Sequence, residues 1–177
     1  LTYLIAKKLG LSDEECNNLA VAGMVHDIGK LRLSSYLYGR NSNGMIIEEI
    51  QYMRKHSRLG YEILKKYSYN DAICEAVLYH HENYDGSGYP DNLKAEKIPL
   101  GARIMRVADA FIALISERPY REAYDFDSAI SIMIEDVKEY DMQVFLAFMD
   151  VIHEDGMLEK IRQDQMSIDY DMEELNF

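Results

Sequence analysis

"NDAICEAVLYHHENYDGSGYP", residues 70–90, joins a helix to a glycine-rich loop through two adjacent histidines and an acid. Asn70 or Asp71 supplies the helix N-cap, apolar residues follow at three- and four-residue spacing, and the glycines permit the turn that ends the run. The same spacing extends along the chain. Only three prolines occur, and the segments between turn signals run about 10 to 20 residues with helical periodicity. The expected fold is all-α, a helical bundle.

The flanking segments fit that expectation. "LTYLIAKKLG" at 1–10 stops at Gly10, and "LSDEECNNLAVAGMVHDIGK" at 11–30 restarts at Ser12, with Glu15 three residues on to close a capping box. A loop around "YGRNSNG" at 38–44 precedes a long helix expected from Met45 to Lys66. "PLGARIMRVADAFIALISE" at 99–117 starts with Pro99 in its first turn, and "DFDSAISIMIEDVKE" and "DMQVFLAFMDVIHED" are amphipathic helices over 125–139 and 141–155. One domain is expected over 1–163, followed by an acidic tail over 164–177 with little to pack.

Bulk composition limits the function. The 177 residues are 48% hydrophobic, enough for one core, while 31 acidic against 19 basic residues leave a net charge of -12. That balance argues against DNA, RNA or an anionic membrane surface as partner, so any anionic ligand needs local positive charge. Cys16 and Cys74 lack CxxC spacing and suit two reduced thiols. No run of about 18 apolar residues and no basic-then-apolar leader is visible, which makes the cytoplasm the expected location. The opening lacks Met and reads as the second half of a helix, as expected of a piece of a longer protein.

Four of the five histidines, His26, His56, His80 and His81, stand in or at the end of predicted helices. At 3.6 residues per turn His56 shares a face with Met53, Leu59 and Ile63, and Asp109 with Met105 and Ile112. A buried imidazole or carboxylate is costly unless bonded or bound to a metal, and bundle cores are where facing helices converge on metals. His26 and Asp27, about 100° apart around a helix, suit opposite sides of a two-metal site. Any one of these residues alone is more simply a hydrogen-bonded core group or a solvated one; the case lies in their number. His153, among acids near a helix end, is expected to be solvated.

Four motifs follow in order: "HDIGK" at 26–30, "HSRLGYEIL" at 56–64, "HHENYDGSGYP" at 80–90 and "RVADAFIALISERPYREA" at 106–123. Together they resemble the HD-GYP family of cyclic di-GMP phosphodiesterases, over nearly the whole chain. The resemblance implies that His26, Asp27, His56, His80, His81 and Asp109 are metal ligands, with Asp27 bridging two ions. It implies Lys30 as a catalytic acid or phosphate contact beside Asp27. It also gives Tyr89, Arg118 and Arg121 to the substrate; the plainer alternatives are an ordinary turn for "DGSGYP" and a surface pair for the two arginines. Family members carry a further histidine or glutamate on a preceding helix, and this chain begins downstream of it. Without that helix Leu4 and Ile5 are expected to be exposed, opening a route to a homodimer. Asn83 stands where a basic residue is common, and Ser57 where a proline is usual.

A phosphodiester repels nucleophiles by its charge, and two divalent ions about 3.5 to 4 Å apart would answer this by acidifying a water and neutralising phosphate oxygens. Imidazole and carboxylate donors suit iron, manganese, zinc or nickel, with magnesium a further candidate; the family precedent leans to iron or manganese. The implied activity is hydrolysis of cyclic di-GMP to pGpG or GMP, in a protein with an upstream sensory or receiver domain. Two alternatives stand beside it: a catalytically impaired sensor or interaction module, and another HD-type nucleotide phosphohydrolase.

Overall fold

The computed structural model describes residues 1–33, 47–118 and 121–163. Within them the regular elements are all helices, and the one piece of extended pairing is an antiparallel bridge between Arg118 and Arg121. In chain order the helices are α1 (Thr2–Lys8), α2 (Asp13–Val25), α3 (Ile47–Met53), α4 (His56–Lys66), α5 (Asp71–Tyr79), α6 (Leu100–Ile115), α7 (Phe126–Glu135) and α8 (Met142–Ile152). Short 3-10 turns cover Ile28–Arg32, Ala95–Lys97 and Val137–Glu139. The expected loop at 38–44, the start of the Met45 helix and the tail over 164–177 lie outside the described residues.

Local chemistry starts these helices where expected. The Ser12 hydroxyl accepts the Glu15 N–H while the Glu15 carboxylate accepts the Ser12 N–H, so two orphan donors at the start of α2 are satisfied. The Asn70 side chain accepts the Ala72 N–H and opens α5. Asp125 and Asp141 do the same for α7 and α8. Among the described residues no helix is long and apolar enough to cross a membrane.

α6 runs through the middle of the bundle, with Ala102, Ile104, Met105, Val107, Ala108, Phe111 and Ile115 buried. It packs on α5 on one side and on α7 and α8 on another. Phe111 meets Phe148 of α8 edge to face, ring centroids 5.0 Å apart. Each large side chain removed from water in this way contributes about 1.5 to 3 kcal/mol. Cys16 and Cys74 are free, buried thiols in the same core.

Two expectations are corrected. Ile5 is fully buried and Leu4 partly so, because α1 packs against α2, α6 and α8 and its apolar side already has a cover. The long helix expected to end at Lys66 is interrupted at Arg54 and Lys55, so α3 and α4 are separate and His56 begins α4 instead of lying within a helix. This junction is tight. A Cβ on Gly29 would lie 1.9 Å from the His56 carbonyl oxygen, so only glycine lets the Ile28–Arg32 turn meet the start of α4.

Candidate metal centre

Three of the histidines are held by the same device at helix ends. His26 caps the C-terminus of α2, His80 caps that of α5, and His56 opens α4. Each directs Nδ1 at the carbonyl three residues back: Gly23 at 2.7 Å, Val77 at 2.7 Å and Met53 at 2.8 Å. A carbonyl only accepts, so Nδ1 carries the proton and Nε2 presents a lone pair to the interior. Asp27 follows His26 off the helix end, and Asp109 projects from the third turn of α6. The centre is thus built largely from helix termini, where sequence periodicity places it on helix faces.

All six side chains converge. Asp27 lies between two imidazoles, with one carboxylate oxygen 3.4 Å from His26 Nε2 and the other 3.5 Å from His56 Nε2. Asp109 does likewise, 3.7 Å from His26 Nε2 and 4.0 Å from His81 Nδ1. His56 Nε2 and His80 Nε2 face each other at 3.3 Å. The His80 and His81 rings lie 4.0 Å apart, and one donor nitrogen from each of His56, His80 and His81 falls within 4.8 Å of the others.

The electrostatics favour neutral imidazoles at His56, His80 and His81. Burial lowers the pKa of His56, pushes His80 down to about 3, and with the neighbouring His80 pushes His81 lower still. Burial also disfavours charge on His26 and Asp27, yet the Asp27 and Asp109 carboxylates outweigh it for His26, and the His26 ring and the Lys30 ammonium outweigh it for Asp27. His26 is raised, and Asp27 is held far below the usual carboxylate range. Two nitrogens bound to one ion at about 2.0 to 2.1 Å would stand about 3 Å apart, close to the His56–His80 separation. The donor set therefore fits divalent ions.

The remaining sequence candidates divide. Lys30 Nζ is 2.5 Å from Asp27 Oδ2, at the rim of the cluster. Tyr89 stacks on His81 with centroids 4.7 Å apart, and the Tyr89 N–H donates to the His81 carbonyl. Arg121 turns away: its guanidinium donates to the carbonyls of Ala113, Leu114 and Glu122 and lies over the Tyr124 ring. It closes the C-terminal end of α6. Arg118 is exposed, and its side chain has no partner among the described residues. His153 is exposed at the end of α8.

Three residues outside the expected set shape the site. Glu82, 1% exposed, accepts the N–H groups of Asp91 at 2.7 Å and Leu93 at 3.0 Å and folds the glycine-rich loop back over His81. The fold-back is so close that a Cβ on Gly88 would meet Asn83 N at 2.2 Å. Arg106 donates to Asn83 Oδ1 and to Glu139, both at 2.7 Å, tying α6 to the same loop. Its position three residues before Asp109, on the same helix face, was the available signal. Arg54 lies over the Tyr89 ring at 5.0 Å.

A helical scaffold with this histidine and aspartate cluster is of the HD type, and the profile of the HD domain family matches residues 1–144. The cyclic di-GMP phosphodiesterase response regulator RpfG of Xanthomonas campestris pv. campestris is 44% identical over 131 residues, 72% of this chain and 34% of that protein. The 3'3'-cGAMP-specific phosphodiesterase 3 of Vibrio cholerae is 36% identical over 138 residues, 77% of this chain and 29% of that protein. The crystal structure of a V. cholerae cyclic GMP-AMP specific phosphodiesterase, V-cGAP3, superposes with a TM-score of 0.68 at 17% identity, over 93% of this chain and 46% of that one. The chain belongs to the HD domain family, in its HD-GYP branch. It spans about a third of the length of the curated relatives it matches.

Proposed function

We propose that this domain is a metal-dependent phosphodiesterase that hydrolyses cyclic di-GMP to pGpG or GMP. The observation that carries the reading is the position of Asp27 and Asp109, each set between two imidazoles from different segments. In it His26, Asp27, His56, His80, His81 and Asp109 would hold two divalent ions, iron or manganese first, with Asp27 contributing to both. The ions, when bound, supply an acidified water and neutralise phosphoryl charge. The protein's own groups do the rest. The Nδ1–carbonyl bonds hold the imidazoles in one tautomer and orientation. Lys30, beside Asp27, offers a cationic donor to a phosphate oxygen or to the departing sugar oxygen. Tyr89 forms the substrate-side wall over His81, and Arg118 has its fork of donors free for phosphate.

Residues 1–163 form the catalytic domain in this reading, with the acidic 164–177 stretch as a tail. The longer relatives support an attached sensory or receiver domain, and an intracellular messenger as substrate puts the protein in the cytoplasm. The 36% identical V. cholerae relative favours 3'3'-cGAMP as a second substrate. The test is hydrolysis of both cyclic dinucleotides by the manganese- and iron-loaded protein, alongside Asp27→Ala with its metal content measured. Turnover lost together with metal in the variant supports the reading. Full metal occupancy of the native protein without hydrolysis of either dinucleotide would overturn it in favour of a sensor.

A further inference from the structure

A groove of about 470 Å³ opens beside Tyr89, lined by Gln51, Arg54, Lys55, Arg58 and Pro90, with Glu62 as its one acid. Its chemistry runs against the rest of the surface. The chain carries -12 overall, yet three cations fall within five consecutive positions, 54–58. Their circumstances differ. Arg58 is neutralised by Asp91 at 2.6 Å, and Lys55 lies over the Tyr52 ring. Arg54 is exposed, with its guanidinium over the Tyr89 ring and no carboxylate partner among the described residues.

Tyr89 links groove and centre. Its ring stacks on His81 at 4.7 Å and carries Arg54 at 5.0 Å, so the guanidinium is no further from the His81 ring than those two distances laid end to end. Both ends of the link are fixed: Glu82 pins the loop that bears Tyr89, and the break between α3 and α4 sets Arg54 two residues before His56. A cyclic dinucleotide has two phosphodiesters one nucleotide apart. When one is at the metal centre, the other half of the ring must lie alongside.

We propose that this groove is the subsite for that other half, with Arg54 binding the phosphate that is not cleaved and the Tyr89 ring keeping its guanidinium in place. This rests on a cyclic dinucleotide being the substrate. Arg suits the role because its planar fork takes two phosphate oxygens while its face stays on an aromatic ring. The role is one of binding, equal in ground and transition states, so it acts on KM and leaves kcat.

The test is calorimetric binding of cyclic di-GMP to the manganese-loaded protein, its Arg54→Met and Arg54→Lys variants, with steady-state kinetics beside it. Arg54→Met is expected to weaken binding tenfold or more and raise KM in step at constant kcat. Arg54→Lys, which keeps the charge and loses the fork, falls between. Unchanged affinity in Arg54→Met overturns the proposal, as does a loss equal in both variants or one accompanied by a lower melting temperature. Arg54-dependent binding without turnover in the native protein would leave the subsite standing and overturn the phosphodiesterase reading. Turnover with Arg54-independent affinity would do the reverse.

Discussion

The Nε2 atoms of His56 and His80 face each other at 3.3 Å while both Nδ1–H groups are committed to backbone carbonyls. Neither imidazole has a proton left for the other, so two lone pairs are opposed in a buried place, and a cation between them removes the conflict. Divalent metal is therefore expected to stabilise the fold. At a concentration a hundredfold above Kd the gain is about 2.7 kcal/mol, a rise in Tm of roughly 5 to 10 °C for a domain of this size. His80→Ala should lose most of that rise. Scanning calorimetry with manganese, iron and zinc checks both, and a Tm indifferent to all three would remove the metal centre.

The metal-free protein is expected to lose stability as pH falls below about 6.5. His80 takes up a proton at its ordinary 6.5 when unfolded but only near 3 when folded, so between these values the unfolded state binds more protons and acid favours it. Burial lowers His56 and His81 in the same sense. Asp27, whose carboxyl is lowered, adds a loss at the acid end of the window, while the raised His26 and the burial-raised Glu82 oppose the trend. Each group contributes a slope of up to about 1.4 kcal/mol per pH unit inside its window. Urea unfolding with chelator at pH 7 and pH 5 measures this; equal stability at the two would contradict it.

Helix starts were legible because their causes are local: the Ser12–Glu15 box and the Asn70 cap act within three residues. The identity of the clustered side chains was legible from motif and spacing. What escaped was tertiary. The break before His56 belongs to the junction where Gly29 meets the His56 carbonyl, a contact between segments more than twenty residues apart. Periodicity therefore put His56 on a helix face when it stands at a helix start. The cover over Ile5 comes from α6 and α8, far along the chain. Glu82 stands in the sequence only as the acid after two histidines, and the fold alone shows its carboxylate holding the Asp91 and Leu93 amides.

Arg118 and Arg121 are equivalent in the motif but differ in the fold, and this separates their expected behaviour. Arg121 donates to the carbonyls of Ala113 and Leu114, in the last turn of α6 where carbonyls lack intrahelical partners, and to that of Glu122 beyond it. Arg121→Ala should cost about 1 to 3 kcal/mol of stability, with metal content intact. Arg118 is exposed with no side-chain partner among the described residues, so Arg118→Ala should leave Tm unchanged. If Arg118 holds substrate phosphate, that variant loses about 1.5 to 3 kcal/mol of binding, a rise in KM on the order of tenfold to a hundredfold. Thermal unfolding, elemental analysis and steady-state kinetics on the two variants decide between these roles. An unchanged KM in Arg118→Ala would withdraw it from the substrate site, and metal loss in that variant would move it to the metal centre.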